Sequence, residues 1–118
     1  MNTIELQSNL RKFIGTEKYY RITSRHLLTD GTKYLAEHAG CIWLMIAVAS
    51  HLTSRITDHF AVVNMKVTGS SAHLTLDDGN GLIFAKQRIE YTDFPLPDIK
   101  LYCCHDRETW VIMLPSEY

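Results

Sequence analysis

The chain has 118 residues, 46% of them hydrophobic and 21% charged, proportions that fit a folded globular domain and exclude a disordered or fibrous one. Its formal net charge is -1, with seven Lys and Arg against five Asp and Glu up to His59 and five against eight beyond it. Neither half has the clustered cations of a protein that tracks phosphates or the dense acid of a DNA mimic, so composition argues against nucleic acid as a partner.

Length sets the expectation of a single α+β domain over residues 1–118. Ile4, Leu6, Leu10, Phe13 and Ile14 recur at helical spacing and predict a short amphipathic N-terminal helix, with Gly15 placed to cap it. Residues 17–22 are aromatic and β-branched enough for a short strand. Thr29 and Asp30 can accept hydrogen bonds from free backbone N–H groups and mark a helix start. A long central helix is then expected over residues 31–55, with Trp43 in its core and Gly40 as a bend or a point of close packing.

Beyond residue 60 the hydrophobic period changes from helical to alternating. Ala61, Val63, Met65 and Val67 line one face of a strand, and Ala72, Leu74 and Leu76 repeat the pattern. Asp77 to Gly81 supply hairpin-turn chemistry before a strand over residues 82–91, and Asp93, Pro95 and Pro97 break it. Ile99, Leu101 and Cys103 form another strand, and Trp110, Ile112 and Leu114 a last one. Short connections favour neighbours in sequence order: an antiparallel meander of five strands, or six if residues 17–22 pair, packed by the long central helix and the short N-terminal one. The expected core face is Val63, Met65, Leu74, Ile83, Ala85, Leu101, Cys103 and Ile112.

Cys41, Cys103 and Cys104 are an odd number, and an adjacent pair on a strand points to opposite faces, so no disulfide framework is expected. The polar N-terminus lacks the apolar centre of a signal peptide, which points to the cytoplasm. The longest apolar run, Cys41 to Ala49, falls well short of the about 20 residues a helix needs to span a bilayer, so no membrane is implied.

Four segments taken together carry a resemblance: FIGTEKYY from Phe13, LTDGTKYLAEHAGCIWL from Leu28, IEYTDFPLPDIKLY from Ile89, and the terminal LPSEY. The chain resembles, over nearly its whole length, a small bacterial family defined only as a domain of unknown function and met in cyanobacteria and on phage and plasmid sequences. The resemblance implies the company of mobile elements and brings no activity, cofactor or catalytic residue.

Residue chemistry offers few sites. Asp30 and Asp93 each follow a threonine and precede a bend, and two carboxylates joined by folding, with a histidine, could serve acid–base catalysis. Capping and turn chemistry account for both more simply. Cys103, Cys104 and His105 are consecutive metal-ligand types, but alternating faces keep them from one ion, so neither a metal nor any other cofactor is expected. Tyr19, Tyr20, Tyr91, Tyr102 and Trp110 have no equally complete local explanation, and such aromatics are enriched where proteins bind proteins. The expectation is a non-enzymatic binding protein of a mobile element that occupies an unidentified host protein, possession of a host-defence target being its sharpest form. An enzyme built on Asp30 and Asp93 is the alternative and a nucleic-acid binder the second; homo-oligomerisation is left open.

Overall fold

A computed structural model describes residues 2–118. The Asn2 side chain accepts the Glu5 N–H at 2.8 Å and starts helix α1, Thr3–Leu10. Strands β1 (Tyr20–Thr23) and β2 (His26–Leu28) follow, then helices α2 (Asp30–His38) and α3 (Ile42–Leu52). The rest is strand: β3 (Phe60–Thr68), β4 (Ser71–Asp77), β5 (Ile83–Ile89), β6 (Asp98–His105) and β7 (Trp110–Met113), ending in a 3-10 turn over Pro115–Glu117. The α+β class and the change of period near residue 60 are those expected from sequence.

The single central helix is corrected to two. Gly40 takes φ +60°, Ala39 N–H donates to Leu35 O, and Cys41 N–H donates to Ala36 O at 2.9 Å. This is the glycine-terminated helix end in which a left-handed residue folds the chain back onto the last turn. Gly40 therefore stops α2 instead of bending one helix, and α3 starts again after Cys41. Trp43 lies half-buried on the flank of α3, while Leu44, Met45, Val48 and Leu52 form its buried stripe.

The five-stranded antiparallel meander is corrected to a seven-stranded mixed sheet in the order β1-β2-β7-β6-β3-β4-β5. Sequence-order pairing holds through β3, β4 and β5 but fails at β6, which returns to pair with β3. The segment between β5 and β6 carries the chain back: Thr92 N–H donates to Ser70 O, Val67 N–H donates to Pro97 O, and Thr92, Phe94 and Leu96 are buried. The β1–β2 hairpin joins at the other side, where β2 lies parallel to β7 with His26, Leu27 and Leu28 opposite Trp110, Val111 and Ile112. Three residues of β2 are too few to show a period, which is why alternation did not reveal them.

Val63, Met65, Leu74, Leu101, Cys103 and Ile112 are fully buried on one face of the sheet and share a core with Leu35, Leu44, Val48 and Leu52 of the helices. Ala85 is partly buried against it. Ile83 is corrected: it is 46% exposed, because the register of β4 against β5 shifts between Leu76 and Asp77 at the outer edge of the sheet.

Candidate functional site

The first polar centre lies at the start of α2 and draws in three of the four segments that carry the family resemblance. Asp30 Oδ2 accepts the Glu17 N–H and Asp30 Oδ1 the Tyr20 hydroxyl, both at 2.9 Å, while Asp30 N–H donates to Thr16 Oγ1. On the other side, Glu117 reaches in from the C-terminal turn. Its carboxylate accepts from Thr29 Oγ1 at 2.6 Å, from Gly31 N–H at 3.0 Å and from Leu114 N–H at 2.9 Å. A negative group on the free N–H end of a helix is favourable, and here the protein supplies its own. The Glu17 N–H and then the Tyr20 hydroxyl hold the Asp30 carboxyl below its ordinary pKa, and accepting from Tyr20 in turn raises the phenol.

Both carboxylates are thus occupied by donors that fasten chain segments together, and neither is left as a base facing a cleft. Asp93 is exposed between β5 and β6, where it is Thr92 Oγ1 that accepts the Phe94 N–H. The hydrogen bonds of Asp30 go to Glu17, Tyr20 and Thr16 and none joins it to Asp93.

The aromatic candidates divide by environment. Tyr19 and Tyr91 stand out at 58% and 76% exposed, on separate loops. Tyr20 is half-buried, bonded to Asp30 and overlain by Lys33 Nζ 4.5 Å from its ring centre. Tyr102 is half-buried and packs edge-on with Phe60 and Tyr118 at centroid separations of 5.3 and 5.5 Å. Trp110, at 3% exposed, is a core residue, its ring stacked 4.4 Å from that of His105. An alternating strand places Trp110 beside Ile112 on the inner face, and the helices cover it there.

Cys103 lies inside and Cys104 on the opposite face, as alternation requires. Burial pushes the Cys41 thiol up to about 12 and raises those of Cys103 and Cys104, which keeps all three protonated and unreactive near neutral pH. Among the described residues no three His, Cys, Asp or Glu side chains gather to hold a metal ion.

The helices pack on the inner face of the sheet, and the outer face carries a pattern the aromatic residues alone do not show. One row across it runs Leu27, Val111, Cys104 and Phe60, and the next runs Met113, Tyr102 and Val62 before Asp77. All seven apolar members are half-buried; the α-helices pack on the other face, and Tyr118 packs against two of the seven, Phe60 and Tyr102. The following rows change character: Lys100, Asn64, Thr75 and Lys86, then Asp98, Lys66, His73 and Arg88. The two ion pairs among the described residues, Lys33 with Glu37 and Arg55 with Asp58, involve none of these cations. An apolar half and a basic half therefore share one open surface. A signal for the apolar half was present in sequence, since Trp110-Val111-Ile112-Met113 is apolar at every position and so has two faces to cover. The basic half has no such signal, because Lys66, Lys86, Arg88 and Lys100 are dispersed along the chain and meet only through strand pairing.

Comparison with known families decides the relationship: residues 4–118 match the family of unknown function DUF6876. The chain belongs to that family. No curated protein and no solved structure matches this DUF6876 member. Within the DUF6876 chain, no helix of the described residues is long and apolar enough to cross a membrane.

Proposed function

We propose that the chain acts by binding, not catalysis, and that the open face of its sheet takes an acidic protein partner. The observation that carries this reading is the division of that face into apolar rows around Val111, Met113, Val62 and Tyr102 and basic rows around Lys66, Lys86, Arg88 and Lys100. Apolar surface at the centre supplies affinity, and flanking charge supplies steering and choice of partner. The aromatic rings favour protein over single-stranded nucleic acid. Phe60, Tyr102 and Tyr118 pack edge to face on one another, whereas a nucleic-acid platform needs ring faces free for bases, and the remaining apolar members are aliphatic or sulfur-bearing. The mobile-element company implied by the sequence resemblance extends the reading to a host protein held inactive by occupation, a host defence component being the target of most consequence for such an element.

The test is a cross-linking capture from host lysate with matched variants of unchanged melting temperature. The partner should be retained by the parent and lost by both Val111→Asp and the Lys66→Glu, Arg88→Glu pair. Capture that survives both but fails on losing Tyr19 or Tyr91 moves the interface to those loops. Saturable binding of a single-stranded oligonucleotide that only the charge-reversed variant loses replaces the protein partner with nucleic acid.

A further inference from the structure

The end of the sheet formed by the β1–β2 and β6–β7 turns holds a second, unrelated surface. A cleft of about 510 Å3 is walled there by Arg21, Ser24, Arg25, Arg107, Glu108 and Thr109. Arg25, Arg107 and Glu108 also line an adjoining recess of about 50 Å3, whose other walls include His26, His105 and Trp110. The three inner residues are one row of the inner face, His26 opposite Trp110 and Trp110 opposite His105.

His26 is 4% exposed, and its Nε2 is a buried nitrogen with no hydrogen-bond partner. Its other nitrogen lies 2.6 Å from Thr23 Oγ1, which already accepts the Arg25 N–H at 3.1 Å. With one lone pair of Thr23 Oγ1 taken, its hydroxyl proton can be given to His26 Nδ1, and in that tautomer the ring proton sits on Nε2 as an unpaired donor. A buried donor left without an acceptor loses its hydration with nothing in return, so such a group calls for a partner.

The charges around the recess are unbalanced. Arg25 and Arg107 take part in neither ion pair among the described residues, and Arg21 donates from Nη1 to the Ser24 carbonyl at 2.6 Å. Glu108 is the one carboxylate on these walls. Neighbouring Asp106 is already engaged by the Glu108 and Thr109 N–H groups and the Thr109 hydroxyl, which close its turn.

We propose that this end of the sheet binds the phosphate group of a small phosphorylated ligand, with Arg21, Arg25 and Arg107 around the cleft and the His26 Nε2–H at its floor. Guanidinium groups match a phosphate with paired N–H donors, and an imidazole N–H completes the set from the buried side. The recess is larger than the about 10–15 Å3 that a single water centre needs and suits a compact head group, while the outer cleft has the volume of a small-ligand site. A water could satisfy His26 but would leave the charges of Arg25 and Arg107 unanswered.

Calorimetric titration of the full chain with inorganic pyrophosphate, and with succinate in parallel, tests the assignment. Pyrophosphate should bind saturably and shift the His26 Nε2 resonance in a nitrogen-detected spectrum, while succinate should bind at least about tenfold more weakly. Arg25 and Arg107 are exposed, so Arg25→Gln and Arg107→Gln should stay folded and each lose about tenfold in affinity, whereas Lys12→Gln, at an exposed lysine just after α1, should lose nothing. No saturation by about 10 mM pyrophosphate, equal binding of succinate, or an equal loss in Lys12→Gln would each overturn the proposal.

Discussion

The junction of Gly31 with Glu117 shows how one position can require glycine for reasons of space. A Cβ on Gly31 would stand 2.6 Å from Leu114 Cδ1 and collide with the Glu117 carboxylate. Gly31→Ala should therefore destabilise by about 1–3 kcal/mol, as overpacking does. Glu117→Ala removes charged hydrogen bonds to Thr29, Gly31 and Leu114 and should cost about 1.5–3 kcal/mol. The two should not add, since the alanine at 117 takes away part of the obstacle to the alanine at 31. Urea unfolding of the four proteins of the cycle should return a coupling of at least about 0.5 kcal/mol, and strict additivity would show that the segments do not meet. His26 gives a second prediction at this scale. Burial first, then the charges of His105 and Arg25, lower its pKa from 6.5. The unfolded imidazole takes up its proton near pH 6.5 while the folded one resists, so stability should decline as pH falls from neutral through that value. Urea midpoints from pH 7.5 down to pH 5.5 (about neutral to mildly acid) should fall more steeply for the parent than for His26→Gln.

At the scale of elements, the stop at Gly40 decides how the helices lie. With φ at +60° and nothing within 4 Å of its missing Cβ, Gly40 is required for backbone conformation alone. Gly40→Ala should cost about 1–2 kcal/mol, the penalty of a left-handed residue with a side chain. Gly15, also free of neighbours but without positive φ, is the matched control, and its alanine variant should differ from the parent by less than about 0.5 kcal/mol. Equal melting temperatures for the two variants would mean that α2 and α3 tolerate joining. The same stop turns α3 so that Leu44, Met45, Val48 and Leu52 are buried while Ile42 and Ile46 remain exposed.

For the whole molecule, the open face predicts two kinetic behaviours in partner binding. Reversing Lys66 and Arg88 should slow association and flatten its salt dependence, because long-range attraction is screened as the Debye length falls from about 10 Å at 0.1 M salt to about 3 Å at 1 M. Replacing Val111 or Met113 by aspartate should act mainly through faster dissociation, since short-range apolar contact forms late and is lost on separation. Surface plasmon resonance with the captured partner separates the two, and identical effects on both rate constants would place the interface elsewhere.

The alternating runs at Phe60–Thr68 and Ser71–Asp77, the turn at Asp77 to Gly81, and the helix start at Thr29 were all legible in the sequence, because each is written in contiguous residues whose local geometry chooses itself. Membership of a family of unknown function was legible for a similar reason, as linear patterns in four segments that lie within the match over residues 4–118. Three features depended on tertiary structure. Strand β6 pairs with β3 because buried Thr92, Phe94 and Leu96 lead the chain back, and β2 becomes a strand through its pairing with β1 and β7. The candidate surfaces followed from those pairings: Lys66, Lys86, Arg88 and Lys100 come from three strands, and Arg25, His26, His105 and Arg107 from two distant turns and the strands beside them. Local sequence sets the conformation of a segment through short-range sterics and hydrogen bonding. Which segments then meet, and so which side chains share a surface, is settled by the burial of the whole core.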